Sequence, residues 1–323
     1  MRIAILDDYQ NVATDLADFE GLATELNAEL TVFNEHLGHD DATVCAALKD
    51  FDVIVAMRER TPFPASRFQL LPNFKLLVTT GRRNGAIDLE AAAAHGVVVS
   101  HTGYVPTDAV EHTWALILAA ARRLDVELFS SANPRSEAEP WQTSFGMGLS
   151  GKTLGVYGLG NLGSKVAKVG LAFGMRVIAY SQNLTKARAT EVGVELVSEA
   201  ELFATSDVVT VHLKLSERST GAIGAKQLAW MRPESILVNT SRSRIVQTDA
   251  LIAALENELL YLAALDVFDT EPLPAKDRLL GTRGVIATPH IGYVTIEQFS
   301  MFYRDAVEDI RAWSSGSPIR VLS

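Results

Sequence analysis

A chain of 323 residues is long enough for about two domains of ordinary size, and 48% apolar against 21% charged residues excludes a disordered, collagen-like or fibrous polypeptide. Lysine and arginine number 29 and aspartate and glutamate 39. The resulting net charge of −10 argues against duplex nucleic acid or an anionic membrane surface as a partner.

One cysteine, Cys45, can close no disulfide within the chain, so a reducing compartment is expected. The apolar run at the N-terminus meets Asp7 too early for a secretory signal. Trp114 to Ala121, the longest apolar stretch inside a helical pattern, falls short of the roughly 18 residues of a membrane span. A soluble, cytoplasmic protein is the expectation.

Short apolar runs alternate with helical patterns along the chain. Ile3 to Leu6, Val53 to Ala56, Leu76 to Val78 and Val97 to Val99 read as buried strands. Asp40 to Leu48, Pro64 to Leu70 and Asp88 to His95 read as helices, with Asp88 as an N-cap and Gly96 as a stop. Strands separated by helices imply right-handed crossovers and a parallel sheet. A long helix is expected from Thr107 to Leu124, apolar on most sides and therefore buried on several, between domains or in a subunit interface. Asn133 to Ser150, with Pro134, Pro140, Gly146 and Gly148, reads as a loop.

The alternation then restarts. Strands are expected at Leu154 to Tyr157, Arg176 to Tyr180, Val208 to Leu213, Ile236 to Asn239, Ala263 to Val267 and Val285 to Ala287, making a second parallel sheet. The last element, Thr295 to Trp313, opens on a capping box, Thr295-Ile296-Glu297-Gln298, and its apolar stripe is expected to pack back on the first domain.

Gly158-Leu159-Gly160-Asn161-Leu162-Gly163 matches GxGxxG between a strand and a helix. In that context the first glycine permits a tight turn, the second lets a pyrophosphate approach the backbone, and the third lets helix and strand pack closely. A second string, Gly146 to Thr153, fits the GxxxxGK[ST] phosphate loop but follows a loop and opens a strand. The order is inverted, and Lys152 is read as a solvated loop residue. The acid expected about 20 residues beyond the first glycine is missing, because Ser181 follows the strand ending at Tyr180. Lys186 and Arg188 could meet a phosphate or simply be solvated, so NAD and NADP both stay open.

In a parallel sheet, residues just beyond the strand carboxyl ends converge on one crevice. Here those ends carry Arg242, then Asp266 and Glu271, then His290.

These segments resemble the D-isomer-specific 2-hydroxyacid dehydrogenase family, with its phosphoglycerate-dehydrogenase-like and glyoxylate/hydroxypyruvate-reductase-like members. The carrying strings are the glycine turn, Val238-Asn239-Thr240-Ser241-Arg242, Leu265-Asp266-Val267-Phe268 with Glu271-Pro272, and Thr288-Pro289-His290-Ile291-Gly292. Thr107-Asp108-Ala109-Val110 and Thr79-Thr80-Gly81 also look like family segments, and the match runs in order over nearly the whole chain.

The resemblance implies two Rossmann-like, doubly wound α/β domains with a cleft between them. Residues 1–100 with 293–323 would bind substrate and 101–292 the dinucleotide, in a homodimer. The activity implied is NAD(P)-dependent interconversion of a 2-oxo acid and a D-2-hydroxy acid. Arg242 would grip the substrate carboxylate and carbonyl oxygen. His290 would move the proton to and from that oxygen, and Glu271 would pair with the imidazole and keep it protonated. Gly158, Gly160, Asn161, Leu162, Gly163, Ser181, Thr107, Thr240 and Asp266 would hold the cofactor, Asp266 at the carboxamide. Thr80, Gly81 and Arg82 would hold substrate through backbone amides. No metal is implied.

His101, His112 and His212 have no partners in the family pattern and read as structural or cofactor-edge residues. The sequence departs from that pattern at Ser243 for glycine, Gln247 for an acid and Lys214 for proline. Arg58, Arg60, Arg82 and Arg83 make the expected substrate region unusually basic, which suggests a second anionic group on the substrate, phosphate or carboxylate, as in 3-phosphoglycerate. A dinucleotide-sensing protein without catalysis, and a relative acting on a different acid such as formate, are the competing readings.

Overall fold

Among the described residues, β-branched and leucine-rich runs too short for helices form twelve strands: β1 (Arg2–Ile5), β2 (Glu29–Val32), β3 (Val53–Ala56), β4 (Leu76–Thr79), β5 (Val98–His101), β6 (Thr153–Tyr157), β7 (Arg176–Tyr180), β8 (Glu195–Leu196), β9 (Val208–Val211), β10 (Ile236–Asn239), β11 (Leu262–Leu265) and β12 (Val285–Ala287). They are seen in a computed structural model that describes residues 1–128 and 140–322. β3, β4, β9, β10 and β11 are buried along their whole length, as expected where helices cover both faces of a parallel sheet. The chain divides into two compact units, Met1–Val105 with Val294–Ser323, and Pro106–Tyr293.

The first unit is a five-stranded parallel sheet in the order β2-β1-β3-β4-β5. The expected strands are present. The sequence reading passed over β2, a half-exposed edge strand with no clean apolar run. Asp88 caps the helix Leu89–Ala94 by accepting from the Ala91 amide, and Gly96 follows at φ +72°. The helix Ile296–Ser314 belongs to this unit, as its apolar stripe suggested, with Phe299, Phe302, Ala306 and Ile310 buried. Its capping box is only half formed. Thr295 accepts from the Gln298 amide, but the Gln298 side chain accepts from the Val105 amide instead of returning to Thr295.

The second unit is a seven-stranded parallel sheet in the order β12-β11-β10-β9-β6-β7-β8. The chain winds outward from β6 to β8, returns to β9 and winds the other way, so the order reverses between β6 and β9. Such a reversal opens a crevice at the strand carboxyl ends.

The long helix is shorter than its pattern promised. It runs Asp108–Ala121, and a separate turn, Leu124–Glu127, follows. Arg123 breaks it by taking a left-handed conformation, φ 55°, that lets its guanidinium reach Asp125 and the Tyr261 hydroxyl. Asn133 and Pro134 of the expected loop lie outside the described residues. Gly151 to Thr153 lead into β6 rather than a helix, and Lys152 lies 3.7 Å from Asp207. Among the described residues no helix is long and apolar enough to cross a membrane.

One buried charge makes the first unit pH-dependent. Asp309 is fully buried, and its Oδ1 accepts from Arg320 Nε at 2.8 Å while Oδ2 finds no donor among the described residues. Burial pushes its carboxyl up to about 7, against the pull of Arg320 and helped by Asp305 and Glu308. A carboxyl raised by folding stabilises the protein below its ordinary titration range near 4, and that contribution is lost as pH rises through about 7. Asp309→Asn, which holds the neutral state at every pH, should therefore melt higher than the parent by a few degrees at pH 8 and by much less at pH 5. Thermal denaturation of both proteins across that range measures the widening gap.

Candidate functional site

The glycine turn sits at the carboxyl end of β6, at the reversal of strand order. Its three glycines are needed for three different reasons. Gly158 has φ +111°, and a Cβ there would lie 2.7 Å from the His212 carbonyl carbon. A Cβ on Gly163 would lie 2.1 Å from the Gly158 carbonyl oxygen, so the helix touches the turn backbone to backbone. Gly160 faces open space, with nothing within 4 Å of the same point. The helix Asn161–Ala172 begins there with no side-chain cap and no acid in its first turn. Its free amides and positive end suit a pyrophosphate, so the residues present fit a dinucleotide. Asn161 is exposed at that end and Leu162 packs against the core.

Beside the turn lies a pocket of about 660 Å³ lined by Tyr157, Ser181, Gln182, Glu199, Lys214 and Arg218 among others. Ser181 Oγ accepts from the Leu159 amide at 2.9 Å, tying β7 to the turn. Lys186 and Arg188 do not line this pocket. Arg188 pairs with Glu191 and reaches Ser164. His212, at the end of β9, is held neutral by burial, its pKa lowered to about 4, with Nε2 2.9 Å from the Thr210 hydroxyl.

Arg242, Glu271 and His290 stand just beyond β10, β11 and β12, three neighbouring strands, and so share one edge of one sheet. His290 Nδ1 lies 2.5 Å from Glu271 Oε2. A carboxylate can only accept, so Nδ1 carries the proton in this contact and Nε2 is the nitrogen left for chemistry. Glu271 is itself fixed, since its Oε1 accepts from the Phe268 amide at 2.8 Å. His290 has φ 52°, a conformation costly for a residue with a Cβ, and its ring meets Tyr293 edge to face. The Arg242 loop is braced by Asn239, which donates to the Arg242 carbonyl and accepts from the Ser241 amide. Arg242 Nη1 donates to the Ser241 carbonyl at 2.8 Å.

Asp266 is 1% exposed and saturated by its own chain. Oδ1 accepts from the Thr288 hydroxyl at 2.6 Å, the Ile291 amide at 2.9 Å and His112 Nε2 at 3.1 Å, and Oδ2 accepts from the Gly292 amide at 2.9 Å. Burial alone would raise this carboxyl, but the bonds from His112, Thr288 and Ile291 outweigh it and hold it below its ordinary value. His112 thus has a partner that sequence reading did not supply, because nothing in the chain separates a histidine inside an apolar helix from a packed one. Thr240 shares a 2.7 Å hydroxyl contact with Thr113, and Thr107 caps the same helix by position only, making no side-chain cap bond.

In the first unit, the loop after β4 is closed from within. The Thr80 amide donates to Ala56 and the Gly81 amide to Thr102 Oγ1 at 2.7 Å. Arg58 lies over the loop, donating to the Thr80 and Arg83 carbonyls, and a Cβ on Gly81 would strike its guanidinium. Arg60 reaches the Asp7 carbonyl and stacks on Tyr9. Arg82 and Arg83 are exposed.

Comparison with known proteins places the chain in a family and finds solved structures of the same fold. The family profile described as D-isomer specific 2-hydroxyacid dehydrogenase, NAD binding domain, matches residues 114–292. A glyoxylate reductase from Aeropyrum pernix is 39% identical over 71% of this chain and 70% of its own. A D-3-phosphoglycerate dehydrogenase from Archaeoglobus fulgidus is 33% identical over 99% of this chain, which spans 58% of that relative's length. The crystal structure of a phosphoglycerate oxidoreductase from Vibrio cholerae o395 superposes with a TM-score of 0.89 at 34% identity, covering 98% of this chain and all of the other.

Removing the Asp266 carboxylate should show how far the His290 turn depends on it. Asp266→Ala strips the acceptor from two amides, a hydroxyl and an imidazole, and each buried donor left bare costs about 1–3 kcal/mol. His112 Nε2 and the Thr288 hydroxyl keep each other at 3.0 Å, so the two amides are the donors left bare, and denaturant unfolding should report a loss of about 2–6 kcal/mol in total.

Proposed function

Because the chain belongs to the D-isomer-specific 2-hydroxyacid dehydrogenase family, we propose that Arg242, Glu271 and His290 carry its NAD(P)-dependent interconversion of a 2-oxo acid and a D-2-hydroxy acid. The 2.5 Å contact of His290 with Glu271 carries this reading, because it leaves one ring nitrogen, Nε2, to exchange a proton. When bound, the nicotinamide supplies or takes the hydride at the substrate's C2. His290 Nε2 gives a proton to the carbonyl oxygen in reduction and removes it from the hydroxyl in oxidation. Glu271 balances the charge on the imidazolium and fixes the ring. Arg242 pairs its planar fork of donors with the substrate carboxylate, setting C2 in place before reaction. The resemblance assigns Asp266 to the carboxamide, but its carboxylate is already met by four donors of the chain, so its role in this reading is to hold the His290 turn. Of the amides of Thr80, Gly81 and Arg82, the first two are spent within the chain, which leaves that of Arg82 to meet a substrate oxygen in this reading.

The substrate we favour carries a second anion, as 3-phosphoglycerate and its oxidised partner do. Arg82 and Arg83 support this, exposed at the strand carboxyl ends of the first unit while Arg58 and Arg60 are engaged in holding structure. We further propose a cytoplasmic homodimer. Leu128, Trp141 and Phe145, the last 99% exposed, are apolar surface that a second copy would cover.

Reduced-cofactor absorbance with a panel of 2-oxo acids tests the chemistry. His290→Ala should lower kcat by about 10²–10⁴-fold with the fold retained, and unchanged turnover would remove the imidazole from the reaction. Arg82→Ala should raise KM for 3-phosphohydroxypyruvate about tenfold and leave that for pyruvate nearly unchanged. Equal effects on both would assign the arginine no role in reading the second anion. Light scattering should return about twice the 35.0 kDa chain mass.

A further inference from the structure

We propose that the pocket beside the glycine turn is built for a ribose bearing a 2′-phosphate, so that this chain prefers NADP(H) to NAD(H), with Lys214 and Arg218 as the residues that decide it. The inference rests on the dehydrogenase reading above and names the cofactor of that same site.

In a dinucleotide fold, the residue after the second strand meets the ribose hydroxyls. An acid there accepts from both and repels a phosphate, whereas a nearby arginine accommodates one. Here that residue is Ser181, which is neutral, and its hydroxyl oxygen is already committed to the Leu159 amide. It therefore lacks the two free acceptor oxygens with which a carboxylate would select an unphosphorylated ribose, while its own O–H stays available to a phosphate oxygen.

The charges around it point the same way. Lys214 and Arg218 both line the pocket, from the segment that follows β9. Arg218 Nη1 donates to Gln182 Oε1 at 3.3 Å, which places its guanidinium beside the residue next to Ser181. Among the described residues neither cation forms an ion pair. Lys214 makes no side-chain hydrogen bond or ion pair among the described residues, so its charge is left to face the pocket.

The opposing charge is Glu199, the single acid lining the pocket. Its Oε1 accepts from the Tyr157 hydroxyl at 2.6 Å and its Oε2 from Gln227 at 3.5 Å. It is thus directed to neutral donors on the pocket wall, and the lining balance is two cations to one anion. A 2′-phosphate, close to doubly charged at neutral pH, is the ligand that uses both.

Binding, read directly by the change in nicotinamide fluorescence on titration, tests the assignment without turnover. The parent protein should bind NADPH at least tenfold more tightly than NADH, with the gap narrowing as salt is added. Adenosine 2′,5′-bisphosphate should displace the bound NADPH far better than 5′-AMP. Arg218→Ala and Lys214→Ala should each weaken NADPH by about ten- to a hundredfold and leave NADH nearly unchanged. Ser181→Asp should reverse the preference.

NADH bound as tightly as NADPH by the parent, or an equal loss of both cofactors in the two cation variants, would overturn this inference and leave the dehydrogenase reading intact. Failure of a correctly folded parent to bind either cofactor would overturn both.

Discussion

Asp266 is the point on which the geometry of the second unit turns. A carboxylate with almost no solvent contact is costly unless every lone pair is met, and here four donors meet it. Two of those donors are consecutive backbone amides, Ile291 and Gly292, immediately after His290. The charge on β11's exit therefore clamps the chain on both sides of the imidazole, through Thr288 before it and the two amides after it. Without that clamp, the left-handed φ of His290 would have no reason to persist, since a residue with a Cβ leaves that conformation when its surroundings allow. A buried ion can thus fix one ring's direction as well as the fold around it.

The same economy appears across the carboxyl ends of both sheets. Asp7 follows β1 at φ 57°, Arg58 follows β3 at φ 52°, Gly81 follows β4 at φ +80°, and Gly158 follows β6 at φ +111°. Each chain must turn sharply there while pointing amides or side chains away from the strand. Gly81 shows the coupling. Arg58 folds over it and occupies the space of any side chain, so one arginine is held in place by the absence of a Cβ on its neighbour. The strain sits where ligands of such sheets bind, and the regular strands behind it supply the rigidity that sustains it.

How much of this was legible in the sequence depended on whether the signal was local. β3, β7, β10 and β12 fall on the expected residues, because a run of buried branched side chains needs no partner to be recognised. The glycine turn was legible because three steric demands fall at fixed spacing. The Glu271–His290 pair was legible only as a resemblance, since nineteen residues separate two groups that meet at 2.5 Å. The support around it was not legible at all. His112 and Asp266 are 154 residues apart, and Asn239 braces Arg242 with a side chain that looks like any strand-end asparagine. β2 was missed because an edge strand tolerates polar residues on its open side, and the helix after Thr107 was overrun because its apolar stripe continues past Arg123, where tertiary contacts, not periodicity, end it.

A chain of net charge −10 that handles anionic ligands has to separate its overall field from its local ones. Screening in salt solution confines the influence of an exposed charge to about 8–10 Å, so a ligand in a pocket responds to the few groups lining it rather than to the sum over the surface. In the pocket beside the glycine turn those groups are Lys214, Arg218 and Glu199, with Ser181 at the end of β7. Exchanging one neutral residue for an acid at such a place changes the local balance by a full charge, while the whole-chain total shifts by a tenth. On the proposed reading of this pocket, selectivity among cofactors that differ by one phosphate rests on a handful of side chains at a strand's end, which can be exchanged without disturbing the sheet that carries them.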